Sequence, residues 1–239
     1  MRLKDKVSII TGGARGLGYA MATKFAEEGS KVYIADINEV HVDNQRIHYV
    51  HMDVSNHESV SEAVNNILKF ENKIDVLVNN AGIVKDALIN KMTDEQWDRV
   101  INVNLRGAFY VTREVLPIMY KNNKGSIINI SSIVGEYGNI GQSNYAASKA
   151  GLIGLTYTWA KEFTRKGSLI RTNAIAPGFA DTEMIKDVPE KILNKIIENN
   201  PMHRLAKPDE IANAALFLAS DESSFVNGQV LSVNGGARL

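Results

Sequence analysis

Val7-Ser-Ile-Ile-Thr-Gly-Gly-Ala-Arg-Gly-Leu-Gly18 joins a short, largely apolar run directly to a glycine-rich turn. Residues 7–11 have the continuous apolar character of a strand buried on both faces of a parallel sheet. Gly12, Gly16 and Gly18 follow in G-x-x-x-G-x-G spacing, and Leu17, Ala20, Met21 and Phe25 then form a helical stripe closed by Gly29. Strand, glycine turn and helix in that order let the backbone approach a pyrophosphate closely, with the helix N-terminus facing the phosphates. A plain glycine-rich turn is the competing reading, and its placement between a strand and a helix argues against it.

Working outward, short apolar runs at 31–35, 47–52, 74–79, 126–131, 170–176 and 229–233 read as further strands. Segments of helical period at 60–70, 97–120, 143–166 and 209–219 lie among them, with a bend or break expected at Pro117 and a helix start at Pro208. The alternation predicts one α/β domain over residues 1–239, a doubly wound parallel sheet of about seven strands with helices on both faces. The stretch 181–207 is polar, carries Pro189 and Pro201, and falls where ligands bind in such folds, beyond the carboxyl ends of the late strands.

Lys and Arg together number 27, as do Asp and Glu, so no net field draws the chain to nucleic acid or an anionic membrane. The absence of cysteine excludes disulfides and thiolate chemistry and fits a cytoplasmic enzyme. The apolar run after Lys6 is too short for a signal h-region or a membrane span. The five histidines show no metal-ligand spacing, so no metal site is expected.

Asp36 ends the second strand and can accept hydrogen bonds from adenosine ribose hydroxyls while repelling a 2′-phosphate, which favours NAD(H). Arg15 pulls the other way, because a guanidinium in the glycine turn can bind that phosphate and admit NADP(H). Asp53 and Val54 after the third strand, and Asn80, Ala81 and Gly82 after the fourth, are further candidate cofactor contacts. For Asp53 a simple turn or capping role competes.

In Ser143-Asn-Tyr-Ala-Ala-Ser-Lys149, Tyr145 and Lys149 share a helix face at i and i+4. An ammonium beside the phenol is expected to lower the tyrosine pKa, and Ser132, arriving from another segment, can hold an oxygen that gains or loses a proton. The set reads as an acid–base site for a carbonyl or an alcohol.

These motifs, with Asn79-Asn-Ala-Gly82, Asn104, and Pro177-Gly178 followed by Thr182, resemble the short-chain dehydrogenase/reductase family from end to end. Asn79 to Asp86, Gly141 to Gly151 and Ala176-Pro-Gly-Phe179 are most similar to its 3-oxoacyl-[acyl-carrier-protein] reductase branch. The resemblance implies NAD(P)H-dependent reduction of a 3-oxoacyl thioester, linked to acyl-carrier protein or CoA, in fatty-acid synthesis. Tyr145 would be the proton donor, Lys149 would also bind the nicotinamide ribose, Ser132 would polarise the carbonyl and Asn104 would hold a water linking Lys149 to solvent. Pro177, Gly178 and Thr182 would contact the cofactor. The resemblance further implies a homotetramer built on the helices near 97–120 and 143–166, and carrier docking by basic residues at the mouth of the site, with Lys121, Lys124, Arg165 and Lys166 as candidates. The spacing between Asp36 and Asp53 is shorter than usual for the family, so a very short helix is expected there. A dehydrogenase of another alcohol, sugar or hydroxyacyl-CoA, and a non-catalytic nucleotide sensor, are the alternatives. The intact Ser132, Tyr145, Lys149 and Asn104 set speaks against the sensor.

Overall fold

The computed structural model describes residues 1–185 and 188–237; Lys186 and Asp187, within the polar stretch after Thr182, lie outside the described residues. Seven parallel strands form one sheet in the order β3-β2-β1-β4-β5-β6-β7. They are β1 (Val7–Thr11), β2 (Lys31–Asp36), β3 (Ile47–His51), β4 (Val76–Asn79), β5 (Lys124–Ile130), β6 (Leu169–Pro177) and β7 (Val230–Val233). The strand order reverses between β1 and β4, and the crevice above that switch point is where the glycine turn sits.

Successive side chains on a strand point to opposite faces, so the continuous apolar runs feed two cores at once. Ile10, Ile34, Val78 and Ile128 pack on one face with Met21 and Phe25 of α1 (Gly16–Glu27) and Ile211 and Leu216 of α8 (Pro208–Ala219). Ile9, Tyr33, Leu77 and Ile127 pack on the other with α2 (His57–Leu68), α4 (Gly107–Lys121) and α6 (Ser143–Glu162), through Val60, Val111, Met119 and Trp159. Complete burial of Phe25 contributes about 2–3 kcal/mol from apolar transfer alone. Gly29 ends α1 at φ +91°, its amide donating to the Ala26 carbonyl.

Three expectations are corrected. No helix forms between β2 and β3 among residues 37–46; the chain crosses that edge as irregular backbone. The break in the segment 97–120 falls before Pro117. There, α3 (Asp94–Ile101) passes through a π-helical turn at Asn102–Arg106 into α4, which runs on through Pro117 to Lys121 with Val115 and Met119 buried on either side. Finally, α6 stops at Glu162 rather than reaching residue 166. Two short helices join those expected: α5 (Ile133–Tyr137) and α7 (Glu190–Asn199). Among the described residues no helix is long and apolar enough to cross a membrane.

Candidate active site

The glycine turn is shaped by contacts that exclude a side chain. Gly12 has φ +63°, and a Cβ there would lie 2.8 Å from Ala81 Cα. A Cβ on Gly18 would lie 2.2 Å from the Gly12 carbonyl oxygen. Asn80 explains the tight fit, for its Nδ2 donates to the carbonyls of Thr11 (2.9 Å) and Gly12 (3.0 Å). The Thr11 hydroxyl accepts the amides of Asn80 and Ala81, both at 3.0 Å. The end of β4 therefore clamps the end of β1. Gly82 continues toward the Tyr145–Lys149 pair, where a Cβ would lie 3.4 Å from Lys149 Nζ. Gly13, which the spacing argument passed over, is equally constrained, because a Cβ there would lie 2.9 Å from Ile34 Cγ2.

Arg15 occupies the N-cap of α1 without a side-chain cap bond, and the first turn holds no acidic residue. Its amides are left for an anion, so the turn fits a pyrophosphate. Leu17 is partly buried against the core and seats the helix. Asp36 is 8% exposed; Oδ2 accepts the Ala14 amide (3.1 Å) and Oδ1 the Asn38 amide (2.9 Å), which fixes the carboxylate beside the turn. Met52 donates its amide to the Asp36 carbonyl (3.0 Å), bringing Asp53 close by. Asp53 Oδ1 accepts both the amide and the hydroxyl of Ser55, a turn role. Val54 is buried against Gly107, where a Cβ would lie 2.9 Å from Val54 Cβ. On the far side, the Gly178 amide after Pro177 bonds the Val233 carbonyl at 3.0 Å. Thr182 reaches back to Gly16, 3.8 Å from the position of a Cβ on that glycine.

The second half of the site stands at the carboxyl end of β5. Ser132 begins α5, its hydroxyl accepting the Val134 amide (3.1 Å) and lying near enough to the Tyr145 phenol to favour phenolate. Ser131 is the structural neighbour: its hydroxyl donates to the Lys149 carbonyl at 2.8 Å. Gly135 lets α5 lie directly on α6, since a Cβ would stand 2.8 Å from Lys149 Cβ and 2.9 Å from Ser131 Oγ. Lys149 is buried, donates from Nζ to the Ile130 carbonyl (2.7 Å), and lies 5.5 Å from the centre of the Tyr145 ring. Asn104 projects from the π-helical turn. Its Oδ1 accepts the Ile83 amide (2.8 Å), and its Nδ2 donates to the Ile83 carbonyl (3.0 Å) and the Ser148 hydroxyl (3.2 Å). Asn104 Oδ1 would lie 3.5 Å from a Cβ on Gly82, so Asn104, Gly82 and Lys149 converge.

The electrostatics correct one expectation. Burial dominates and pushes Tyr145 up to about 12; the Ser132 hydroxyl opposes this and the Asp86 carboxylate adds to it. Burial lowers Lys149 to about 8. The phenol thus stays protonated at neutral pH rather than being drawn towards ionisation. Asp86, itself pushed up by burial, is held by Gln142 Nε2 at 3.0 and 3.1 Å. Both residues lie in stretches that carry the family resemblance, but their pairing had no signal in the sequence, because nothing local links the loop after β4 to the start of α6.

The four proposed docking cations are placed elsewhere. Lys124 opens β5 and Lys121 precedes it, while Arg165 and Lys166 precede β6. All four lie at the amino ends of parallel strands, with the length of β5, roughly 20 Å, between them and Ser132. Lys124 pairs with Asp221 at 3.0 Å. Among the described residues no group of His, Cys, Asp or Glu is arranged to hold a metal.

A doubly wound parallel sheet, a dinucleotide-shaped glycine turn and a Ser–Tyr–Lys set built around a buried lysine define a nicotinamide-dependent oxidoreductase. The family model described as Enoyl-(Acyl carrier protein) reductase matches residues 12–238, and the chain belongs to the short-chain dehydrogenase/reductase family. It is 48% identical to 3-oxoacyl-[acyl-carrier-protein] reductase FabG of Thermotoga maritima over 99% of both chains. It is 46% identical to the same-named protein of Chlamydia trachomatis over 98% of each, and 44% identical to acetoacetyl-CoA reductase of Shinella zoogloeoides over 97% of this chain and 98% of that one. Levodione reductase superposes with a TM-score of 0.92 at 35% identity, covering 98% of each chain.

Proposed function

We propose that the chain reduces the keto group of a 3-oxoacyl thioester to the 3-hydroxyacyl thioester, with Tyr145 as proton donor. The observation that carries this reading is the partly buried, protonated Tyr145 between Ser132 and Lys149, in a chain so similar to 3-oxoacyl reductases. A nicotinamide dinucleotide held by the glycine turn and Asp36 would supply the hydride. Ser132 hydrogen-bonds the substrate carbonyl oxygen and aims it at the phenol, and Tyr145 gives that oxygen its proton as the charge develops. Lys149, kept charged below about pH 8, stabilises the resulting phenolate. Asn104 Oδ1 retains capacity for one further hydrogen bond beside Lys149 and supports proton return from solvent.

Asp36, fixed by the amides of Ala14 and Asn38, favours NAD(H), while Arg15 leaves a route to NADP(H). Acyl-carrier protein is the favoured thioester carrier, on the strength of the relatives' names. The Shinella relative supports a second reading in which the CoA thioester is the natural substrate. Comparing kcat/KM for acetoacetyl-carrier protein and acetoacetyl-CoA separates the two. A preference for the carrier-bound form supports fatty-acid synthesis; equal or better use of CoA supports the second reading; turnover of neither overturns both.

A further inference from the structure

Glu183 brings a charge to the glycine turn from the segment that follows β6. Its Oε2 lies 3.3 Å from Arg15 Nη1, and among the described residues neither side chain has another polar partner. The side chain of Thr182, immediately before it, lies against Gly16, so the two segments meet here through packing as well as through charge. Arg15 follows Ala14, whose amide is bonded to Asp36. The Arg15 backbone is therefore anchored next to the carboxylate that would receive the adenosine ribose, yet its guanidinium is turned to Glu183. The pair is 71% and 56% exposed, and such pairs add less than about 1 kcal/mol to stability, so fold maintenance does not account for it.

We propose that Glu183 is a cofactor-specificity residue, which holds Arg15 and makes a 2′-phosphate compete with a carboxylate for the guanidinium of the glycine turn. This rests on the dinucleotide reading of the glycine turn. An unphosphorylated ribose needs no cation and binds with the Arg15–Glu183 pair intact. A 2′-phosphate that engages Arg15 must break that pair, and it meets the Asp36 carboxylate while Glu183 loses its partner. Glu183 therefore reinforces Asp36 from the other side of the crevice.

The test is calorimetric titration of the full chain with NADH, 5′-AMP and 2′,5′-ADP, the last two differing by the 2′-phosphate. Glu183→Gln should tighten 2′,5′-ADP by about fivefold, the worth of an exposed pair, and leave 5′-AMP and NADH within about twofold. The gain should shrink in high salt and vanish in an Arg15→Ala background, where there is no guanidinium to release. An unchanged ratio of the two nucleotides, or an equal gain when Arg15 is absent, overturns the proposal while leaving the dinucleotide site standing. Failure of the parent chain to bind NADH or 5′-AMP overturns both, and is distinguishable for that reason.

Discussion

Tyr145 and Lys149 work through burial as much as through proximity. The phenol keeps its proton to about pH 12, so the neutral-pH site holds a donor, which suits reduction. Tyr145→Phe should lower turnover by about a thousandfold while leaving the dinucleotide dissociation constant unchanged, measured by NADH fluorescence titration. Lys149 carries the opposite sign. Its folded pKa near 8 lies below the unfolded value of about 10.4, so the unfolded chain holds more protons between them, and stability should rise with pH across that window. Above the ordinary tyrosine value the Tyr145 contribution reverses, because the folded phenol retains a proton that the unfolded chain loses. Subtracting the melting profile of Lys149→Met from that of the parent should leave a positive slope from about pH 8 to 10. A flat difference would mean that burial does not lower the Lys149 pKa, the amine holding its proton to the same pH in the folded and unfolded chains. The same titration should make kcat/KM for reduction fall as pH rises through about 8.

At the scale of elements, α5 and α6 are pressed together over Gly135, and that contact sets the Ser132–Tyr145 approach. Gly135→Ala forces a methyl against Lys149 and should cost about 1–3 kcal/mol, lowering Tm by several degrees. Because the strain falls on the catalytic contact, kcat should drop more than KM rises; a variant with lower Tm and normal kcat would place the contact outside catalysis. The seven strands were legible because a sheet buried on both faces demands unbroken apolar runs, and the glycine turn because its chemistry is local. Tyr145, Lys149 and Ser132 were legible by spacing. The features that were not legible depend on chain segments meeting in space. Asn104 was named through the family resemblance, but its contact with Ile83 was not foreseen, because a π-helical turn directs it there and no local pattern marks that extra residue per turn. The tyrosine shift reversed because burial outweighs a neighbouring charge, and burial is a tertiary property. Lys124 and Arg165 read as mouth residues only until strand direction put them at the far end of the sheet.

For the molecule as a whole, the helix faces that leave the core are informative. Of the apolar residues that the sequence places on α4 and α6, Val115, Met119, Leu152 and Trp159 serve the core, whereas Phe109 and Tyr157 remain 40% and 47% exposed. A tetramer that pairs these helices would cover both, and Phe109→Glu with Tyr157→Glu should halve the mass seen by light scattering without lowering the parent's helical content. An unchanged mass would remove these helices from the interface. The central claim, that this chain reduces a 3-oxoacyl thioester with Tyr145 as donor, is tested most directly by initial rates of NADH and NADPH oxidation with acetoacetyl-CoA. Parent and Tyr145→Phe should be run side by side. The account predicts thioester-dependent oxidation by the parent, faster with NADH, and almost none by the variant. Equal rates for parent and variant, or no thioester-dependent oxidation by a parent that binds NADH, would contradict it.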